Sequence, residues 1–403
     1  MAPKGKGPFL SYITGWLNLL GNSGKFKIIV AADAFFAYTF VMFAEYMLLL
    51  MDYPALSVNT KVIAGLTSMM VWGLCNLLRI DHQSKIHTFA SILQIICTVA
   101  VIVSLYVKCS AGHSASLSEI TTSTYNDTGI ESPIYLLMIG CLSSCYCFLG
   151  YDAAGHLGEE THDASRAVPR CIVATCALTA IVGGLLVFGY LFGSAYAPKS
   201  FANAELGVSS IFLKCMGTGP SIYLTGLLAL NSFFSGMSSL TVTVRMAYSF
   251  ARDGGLPFSN FLQKVHETSG CPVGSTIACT VIAAFPLLLQ LFSDIAFLAT
   301  ISISAIGFQV SYAIPIVLRI TTFRHRFKNP VFNLGSLGTA CGTISAGYLI
   351  ITSILFMMPV QYPMEISNFN FTPLLFAIVM ACCITHWFGA AQKSFVGPVT
   401  IKF

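Results

Sequence analysis

Charge is what this sequence has least of. Asp, Glu, Lys and Arg together make up 9% of its 403 residues, against about 25% in an ordinary soluble domain. So small a supply cannot coat a water-soluble surface, which excludes a soluble or peripheral enzyme. Other chemistries are missing as well. There is no Cys or His set at metal-ligand spacing, no glycine loop of the phosphate-binding kind and no nucleophile paired with a base, so neither a metal nor an organic cofactor is expected. The N-terminus also lacks the apolar core of about 7 to 15 residues that defines a cleavable signal peptide. Lys4-Gly5-Lys6 runs instead into mixed polar and aromatic residues. Insertion is therefore expected to rely on the first apolar helix.

What the sequence has in place of charge is long apolar runs, hydrophobic residues making up 55% of the chain. Stretches of about 20 largely apolar residues can cross about 30 Å of hydrocarbon as helices. They predict an all-α membrane protein of about ten spans: Ile28–Met51, Val62–Leu78, Ile86–Val107, Ile134–Leu157, Cys171–Phe192, Ile222–Ala247, Ser275–Leu291, Ile295–Leu318, Leu337–Met358 and Phe371–Phe388. The expected organisation is a cytoplasmic leader over 1–27, a polytopic domain over 28–398 and a cytoplasmic tail over 399–403. The lipid bilayer is the partner this implies. Most of the 14 cysteines, such as Cys141, Cys145, Cys147, Cys382 and Cys383, lie in the spans and read as small apolar packing residues. A bridge between Cys109 and Cys215, both outside the spans, is a weaker expectation.

Lys and Arg set the orientation, because short cationic loops stay in the cytoplasm. With the N-terminus inside, all of the 21 basic residues except Lys61, Lys108, Lys199 and Lys214 fall on the inner side. The loops account for the net charge of +5, and no nucleic-acid partner is needed. Asn126-Asp127-Thr128 then falls in the longest outer loop. There Asn126 is either an N-glycosylation acceptor or part of a chance polar triplet.

The most informative segment is Phe148-Leu149-Gly150-Tyr151-Asp152-Ala153-Ala154-Gly155-His156-Leu157. Two glycines, an acid and a histidine crowd one membrane helix that has few good helix formers there, so the helix is expected to break. Freed backbone groups at such breaks bind substrates and ions in secondary transporters. The alternative is that Gly155 and His156 mark a cytoplasmic helix end, with Asp152 capping or pairing. Phe148 and Tyr151 flank the break, either as gates or stacking partners for a cationic amine, or as ordinary core aromatics.

Gly150-Tyr151-Asp152-Ala153-Ala154-Gly155-His156-Leu157-Gly158-Glu159-Glu160-Thr161, with Ala164-Ser165-Arg166 and Pro169-Arg170, resembles the sixth helix and following loop of the amino acid/polyamine/organocation transporters. The similarity is greatest to fungal-type permeases for 4-aminobutyrate, choline and amino acids. Pro8-Phe9-Leu10-Ser11-Tyr12-Ile13-Thr14-Gly15-Trp16-Leu17-Asn18 is similar to the approach to that family's third helix. Thr241-Val242-Thr243-Val244-Arg245 with Ala251-Arg252-Asp253-Gly254-Gly255-Leu256-Pro257 is similar to the end of its eighth. Trp387-Phe388 with Lys393-Ser394-Phe395-Val396-Gly397-Pro398 is similar to its C-terminal end.

The resemblance implies a leucine-transporter-like fold of two inverted five-helix repeats, here lacking the family's first two helices. It implies alternating-access transport of an amino acid or a small amine such as 4-aminobutyrate, choline or a polyamine. The coupling ion, proton or sodium, and the oligomeric state stay undetermined. Glu159, Glu160, Arg166, Arg170, Arg245, Arg252 and Asp253 read as cytoplasmic anchors or gates, with Pro169 in the first turn of the next helix. A plasma membrane location is expected before an internal one. The alternative function is a membrane protein without transport activity, kept for assembly or regulation.

Two further acids lie in the first span. Asp33 is six residues, about 9 Å, past Lys27, placing it within the hydrocarbon. It either carries a proton or meets a cationic amine, or it pairs with a neighbouring lysine. Glu45 is expected near the outer interface. Asn231, with Ser232, Ser235, Gly236, Ser238 and Ser239, forms a small polar strip that either lines a cavity or packs closely against another helix. The candidate substrate-binding residues are therefore Phe148, Gly150, Tyr151, Asp152, Asn231 and Asp33.

Overall fold

The computed structural model describes residues 7–22, 31–110, 126, 128–156, 158, 161–194, 206–267, 269–292, 294–322, 332–335, 337–365, 368–395 and 397. Among them there is no strand. The helices are α1 (Gly7–Asn22), α2 (Ala31–Leu50), α3 (Val58–Asn76), α4 (Ile80–Ser110), α5 (Pro133–Cys147), α6 (Ala153–His156), α7 (Ala164–Ser194) and α8 (Ser209–Met216). They continue as α9 (Thr218–Arg252), α10 (Ser259–Leu262), α11 (Val273–Leu289), α12 (Asp294–Thr321), α13 (Leu337–Leu355) and α14 (Thr372–His386). The last runs through a π turn at Trp387–Ala391 to Ser394.

Among the described residues, seven helices are long and apolar enough to cross a membrane: α2, α4, α7, α9, α12, α13 and α14 with its extension. The apolar α5 and α11 are shorter. The 15 residues of α5 extend about 22 Å at 1.5 Å per residue, less than a bilayer core. α5 is short because its span is interrupted, and α6 supplies the remaining turn.

Starts and stops follow local chemistry. Ser57 caps α3 by accepting the Thr60 N–H, and Ser132 caps α5 by accepting from Tyr135, just ahead of Pro133. Helix α7 begins at Ala164, where Arg166 and Ala167 N–H groups bond the Asp163 carbonyl. Pro169 therefore sits inside the helix, rather than in the first turn expected for it. Its missing N–H leaves one carbonyl near a solvent-accessible end, where the loss is small.

α9 is the central post, packing against α1, α2, α3, α4, α8 and α11. Its approach to α3 is so close that a Cβ at Gly236 would lie 2.2 Å from the Trp72 ring. At the other extreme, no residue in the apolar window of α7 is buried. Val173, Leu178, Ile181, Leu185 and Phe188 face outward, as lipid-facing side chains do.

Within the expected leader 1–27, the described residues 7–22 form a helix. Within them α1 carries Tyr12, Trp16, Leu17, Leu19 and Leu20 into the main core and packs along α12. Leu10, Ile13, Leu17 and Leu20 recur at helical spacing, which accounts for the buried face. The proposed Cys109–Cys215 bridge is not formed, because Cys215 is a free thiol.

Candidate functional site

The helix begun by α5 stops at Cys147 and resumes at Ala153. Gly150 makes the interruption possible, with φ of +75°, a left-handed conformation costly for any residue with a Cβ. The chain turns back when the Ala153 N–H bonds the Gly150 carbonyl at 3.1 Å.

The turn delivers the Asp152 carboxylate to three donors on three elements. The Tyr312 hydroxyl of α12 donates to Oδ1 at 2.6 Å. The Asn18 amide of α1 donates to Oδ2 at 2.8 Å, and His156 Nε2 of α6 lies 3.2 Å from the same oxygen. Asn18 also reaches Ser311 Oγ at 3.3 Å, and the Tyr151 ring lies against Tyr312 at 4.7 Å between centroids. An acid at a broken helix thus ties together α1, α6 and α12.

Beside this knot is a cavity of about 530 Å³ lined by Leu10, Thr14, Asn18, His156, Phe250, Pro315 and neighbouring side chains. It lies where α9 ends in Arg252, with Ser249 and Asp253 in its wall. Its surface is mostly apolar, with Asn18, His156 and Asp253 as polar points. This is the composition of a pocket that takes a small organic molecule with a few oriented polar groups.

The sequence-predicted residues distribute unevenly around it. Gly150, Tyr151 and Asp152 come together at the break. Phe148 is half-exposed beside it and does not line the cavity. Asn231 lies on α9 fifteen residues before the cavity-lining Met246, about 22 Å along the axis. Part of its strip faces α4: Gln94 donates to Ser235 at 2.9 Å, and His87 meets Ser238 and Thr241 at 3.3 and 3.1 Å. Asp33 is fully buried on α2 and does not line the cavity.

Of the loop charges, Arg252 and Asp253 pair at 3.7 Å at the cavity wall, and exposed Arg166 lies 3.8 Å from Asp163. Arg170 is exposed, and Arg245 half-buried. Glu159 and Glu160 lie outside the described residues, as do Asp127 and the tail 399–403. Asn126 is exposed, accepts from the Thr128 hydroxyl at 2.7 Å and donates to the Ile130 carbonyl at 2.8 Å. Glu45 is buried and bound by Lys61 at 2.8 Å.

Asn18, Ser311 and Tyr312 are the site residues that sequence reasoning missed. Asn18 stood at the end of a motif assigned to the leader. Tyr312, three residues before Pro315, carried no signal beyond an aromatic in an apolar run.

An all-helical bundle with lipid-facing apolar helices, a broken helix and a cavity beside it defines the class of multi-pass membrane transporters. Residues 3–382 match the family model described as amino acid permease, and the chain belongs to that family. It is similar to the amino-acid permease BAT1 of Arabidopsis thaliana, with 29% identity covering 98% of this chain and 78% of the relative. The BAT1 homolog of Oryza sativa subsp. japonica is 30% identical, over 98% of this chain and 77% of its own. A Macrophomina phaseolina chain named for amino acid/polyamine transport is 29% identical, over 92% and 82%. The protein is thus a membrane transporter of the amino-acid or amine class, not an enzyme.

Proposed function

We propose that this chain carries an amino acid or small amine across the membrane by alternating access, with the break at Gly150–Asp152 as the moving part. What supports the reading is one observation: Asp152, on the break, holds α1, α6 and α12 through Asn18, His156 and Tyr312. A substrate ammonium competing for that carboxylate would loosen the knot, which is how binding can favour one conformation over another. The apolar wall of Leu10, Phe250 and Pro315 suits a substrate side chain. Tyr151 on Tyr312 gives an aromatic face beside the charge.

In this reading the cavity faces the cytoplasm, since it lies at the end bearing Arg252 and the other inner-side cations. Both termini are cytoplasmic, Asn126 lies outside where a glycan would be added, and the plasma membrane is the site of action. Phe148 and Asn231 belong to the outer part of the path, because neither borders this cavity.

The test is uptake of radiolabelled amino acids, 4-aminobutyrate, choline and polyamines into proteoliposomes containing the purified chain, with Asp152→Asn alongside. Saturable uptake of one class, lost in the variant, is expected. Uptake unaltered by Asp152→Asn would remove the break from the mechanism.

A further inference from the structure

No lysine or arginine is among the described side chains that line the cavity beside the Asp152 knot. Arg252, at the end of α9, is paired with Asp253 at 3.7 Å. The guanidinium of Arg319 reaches α13, where it lies 3.9 Å from the place a Cβ on Gly338 would take. Arg245 precedes the lining residue Met246 but is not itself in the wall. The one lining side chain able to carry a positive charge is therefore His156. A substrate with a free carboxylate needs a partner for it, because a buried anion left unpaired is costly. Hydroxyls in the wall can donate to it, yet a charged donor makes a bond roughly twice as strong. The Asn18 amide is already engaged by Asp152 and Ser311.

His156 is also well placed. Its Nε2 lies 3.2 Å from Asp152 Oδ2, and its ring lines the cavity, which Asp152 does not. The acid keeps its bonds from Tyr312 and Asn18 when the imidazole moves. A protonated His156 and Asp152 make a pair of opposite charges in one spot, and an α-amino acid carries the same two charges on one carbon. Its ammonium can take the imidazole's place at Asp152 while its carboxylate takes the imidazolium, so neither charge is left bare. An amine without a carboxylate fills only half of that exchange.

The geometry points to His156 as the residue that selects amino acids over carboxylate-free amines, by receiving the substrate carboxylate while Asp152 receives the ammonium. The place of the substrate rests on the transport reading above; the choice of class is added here. Imidazole is the side chain whose charge changes between about pH 5 and 8, so the two classes acquire opposite pH slopes. A carboxylate-bearing ligand binds the protonated ring and binds more tightly as pH falls. A bare amine must displace that ring from Asp152 and binds more weakly as pH falls.

Other ionisable groups surround the ring. The end of α9 brings Asp253 with Arg252, and α12 brings Tyr312, bound to Asp152 with Tyr151 against it. At the exposed start of α7 are His162, Arg170 and the Asp163–Arg166 pair, with Cys176 further along. On α1, Tyr12 is bound to His386 of α14. Variants of His156 separate its slope from those of the two other histidines.

The experiment is equilibrium binding to the purified full chain in nanodiscs at about pH 5 and about pH 8. The ligands are three matched pairs: leucine and isopentylamine, lysine and cadaverine, 4-aminobutyrate and propylamine. The members of each pair differ only by the carboxylate. In the wild type, the acid of at least one pair is expected to bind about tenfold tighter than its amine, with slopes of opposite sign. His156→Gln keeps a donor for Asp152 and is expected to cancel that preference and flatten both slopes. His156→Lys is expected to keep the preference and lose the slopes. Amines that bind the wild type as tightly as their acids, slopes of the same sign, or a loss in His156→Gln shared equally by both members would overturn the proposal. The wild-type preference and slopes test it even where a variant fails to fold.

Uptake into proteoliposomes separates the two readings. A chain that binds by these rules but moves no substrate sinks the transport reading and leaves the role of His156 standing. Uptake that carries acids and amines alike, and is lost in Asp152→Asn, does the reverse. Binding of no pair at either pH overturns both.

Discussion

Asp152 and Asp33 are both removed from bulk water, and the molecule treats them in opposite ways. Asp152 stands on a broken helix beside a cavity, with donors from Asn18, His156 and Tyr312. Asp33 stands in the unbroken α2, fully buried, facing only two hydroxyls. The first acid is a fastener: its charge is used to hold three elements in one arrangement. The second has no hydrogen-bond partner of good geometry among the described residues. Glu45 shows the ordinary structural solution, a buried acid with a lysine at 2.8 Å and the Leu56 N–H at 3.0 Å.

Substitutions sharpen that contrast. The largest effect is expected from Asp152→Ala, which strands the Tyr312 and Asn18 donors at about 1–3 kcal/mol for each group left unsatisfied. A lower unfolding midpoint in detergent and loss of uptake are the readouts. Tyr312→Phe removes one hydrogen bond to a charged acceptor, about 1.5–3 kcal/mol, and is expected to lower the midpoint less while weakening substrate binding. Gly236→Ala lies on α9 away from the Asp152 cavity and controls for general damage there. Its Cβ would meet Trp72, so overpacking of about 1–3 kcal/mol should lower the midpoint without changing substrate selectivity.

Gly150→Ala meets open space, so only the positive φ is penalised, about 1–2 kcal/mol. Its uptake rate should fall more than its stability, because the strain falls on the moving part. Smallest of all is Asp33→Asn, expected to leave the midpoint unchanged or raise it, since no donor loses its acceptor. A midpoint drop as large as that of Asp152→Ala would erase the distinction between the two acids.

Much of this was legible before the fold was seen. The bundle could be read because hydrocarbon demands long apolar helices, and seven of the described helices are long and apolar enough to cross it. The break was legible because Gly150, Asp152, Gly155 and His156 are poor company for a membrane helix. What stayed hidden is contact between distant segments. Asn18 and Tyr312 are 134 and 160 residues from Asp152, and neither has a local pattern that points to it. α1 was missed because flanking lysines masked its apolar face. The role of Asn231 was not legible because small polar residues on a helix serve close packing as well as cavities, and here Ser235 and Ser238 face α4.

The central claim is that substrate occupies the cavity beside the Asp152 knot. Equilibrium binding of the radiolabelled substrate identified by uptake, measured on the wild type and on Thr14→Trp in detergent, tests it most directly. Thr14 lines the cavity, and an indole there fills the space while Asp152 and the side chains that bind it stay as they are in the sequence. The account expects saturable wild-type binding that is lost in a folded Thr14→Trp chain. Equal affinity in the two would place the substrate elsewhere in the bundle.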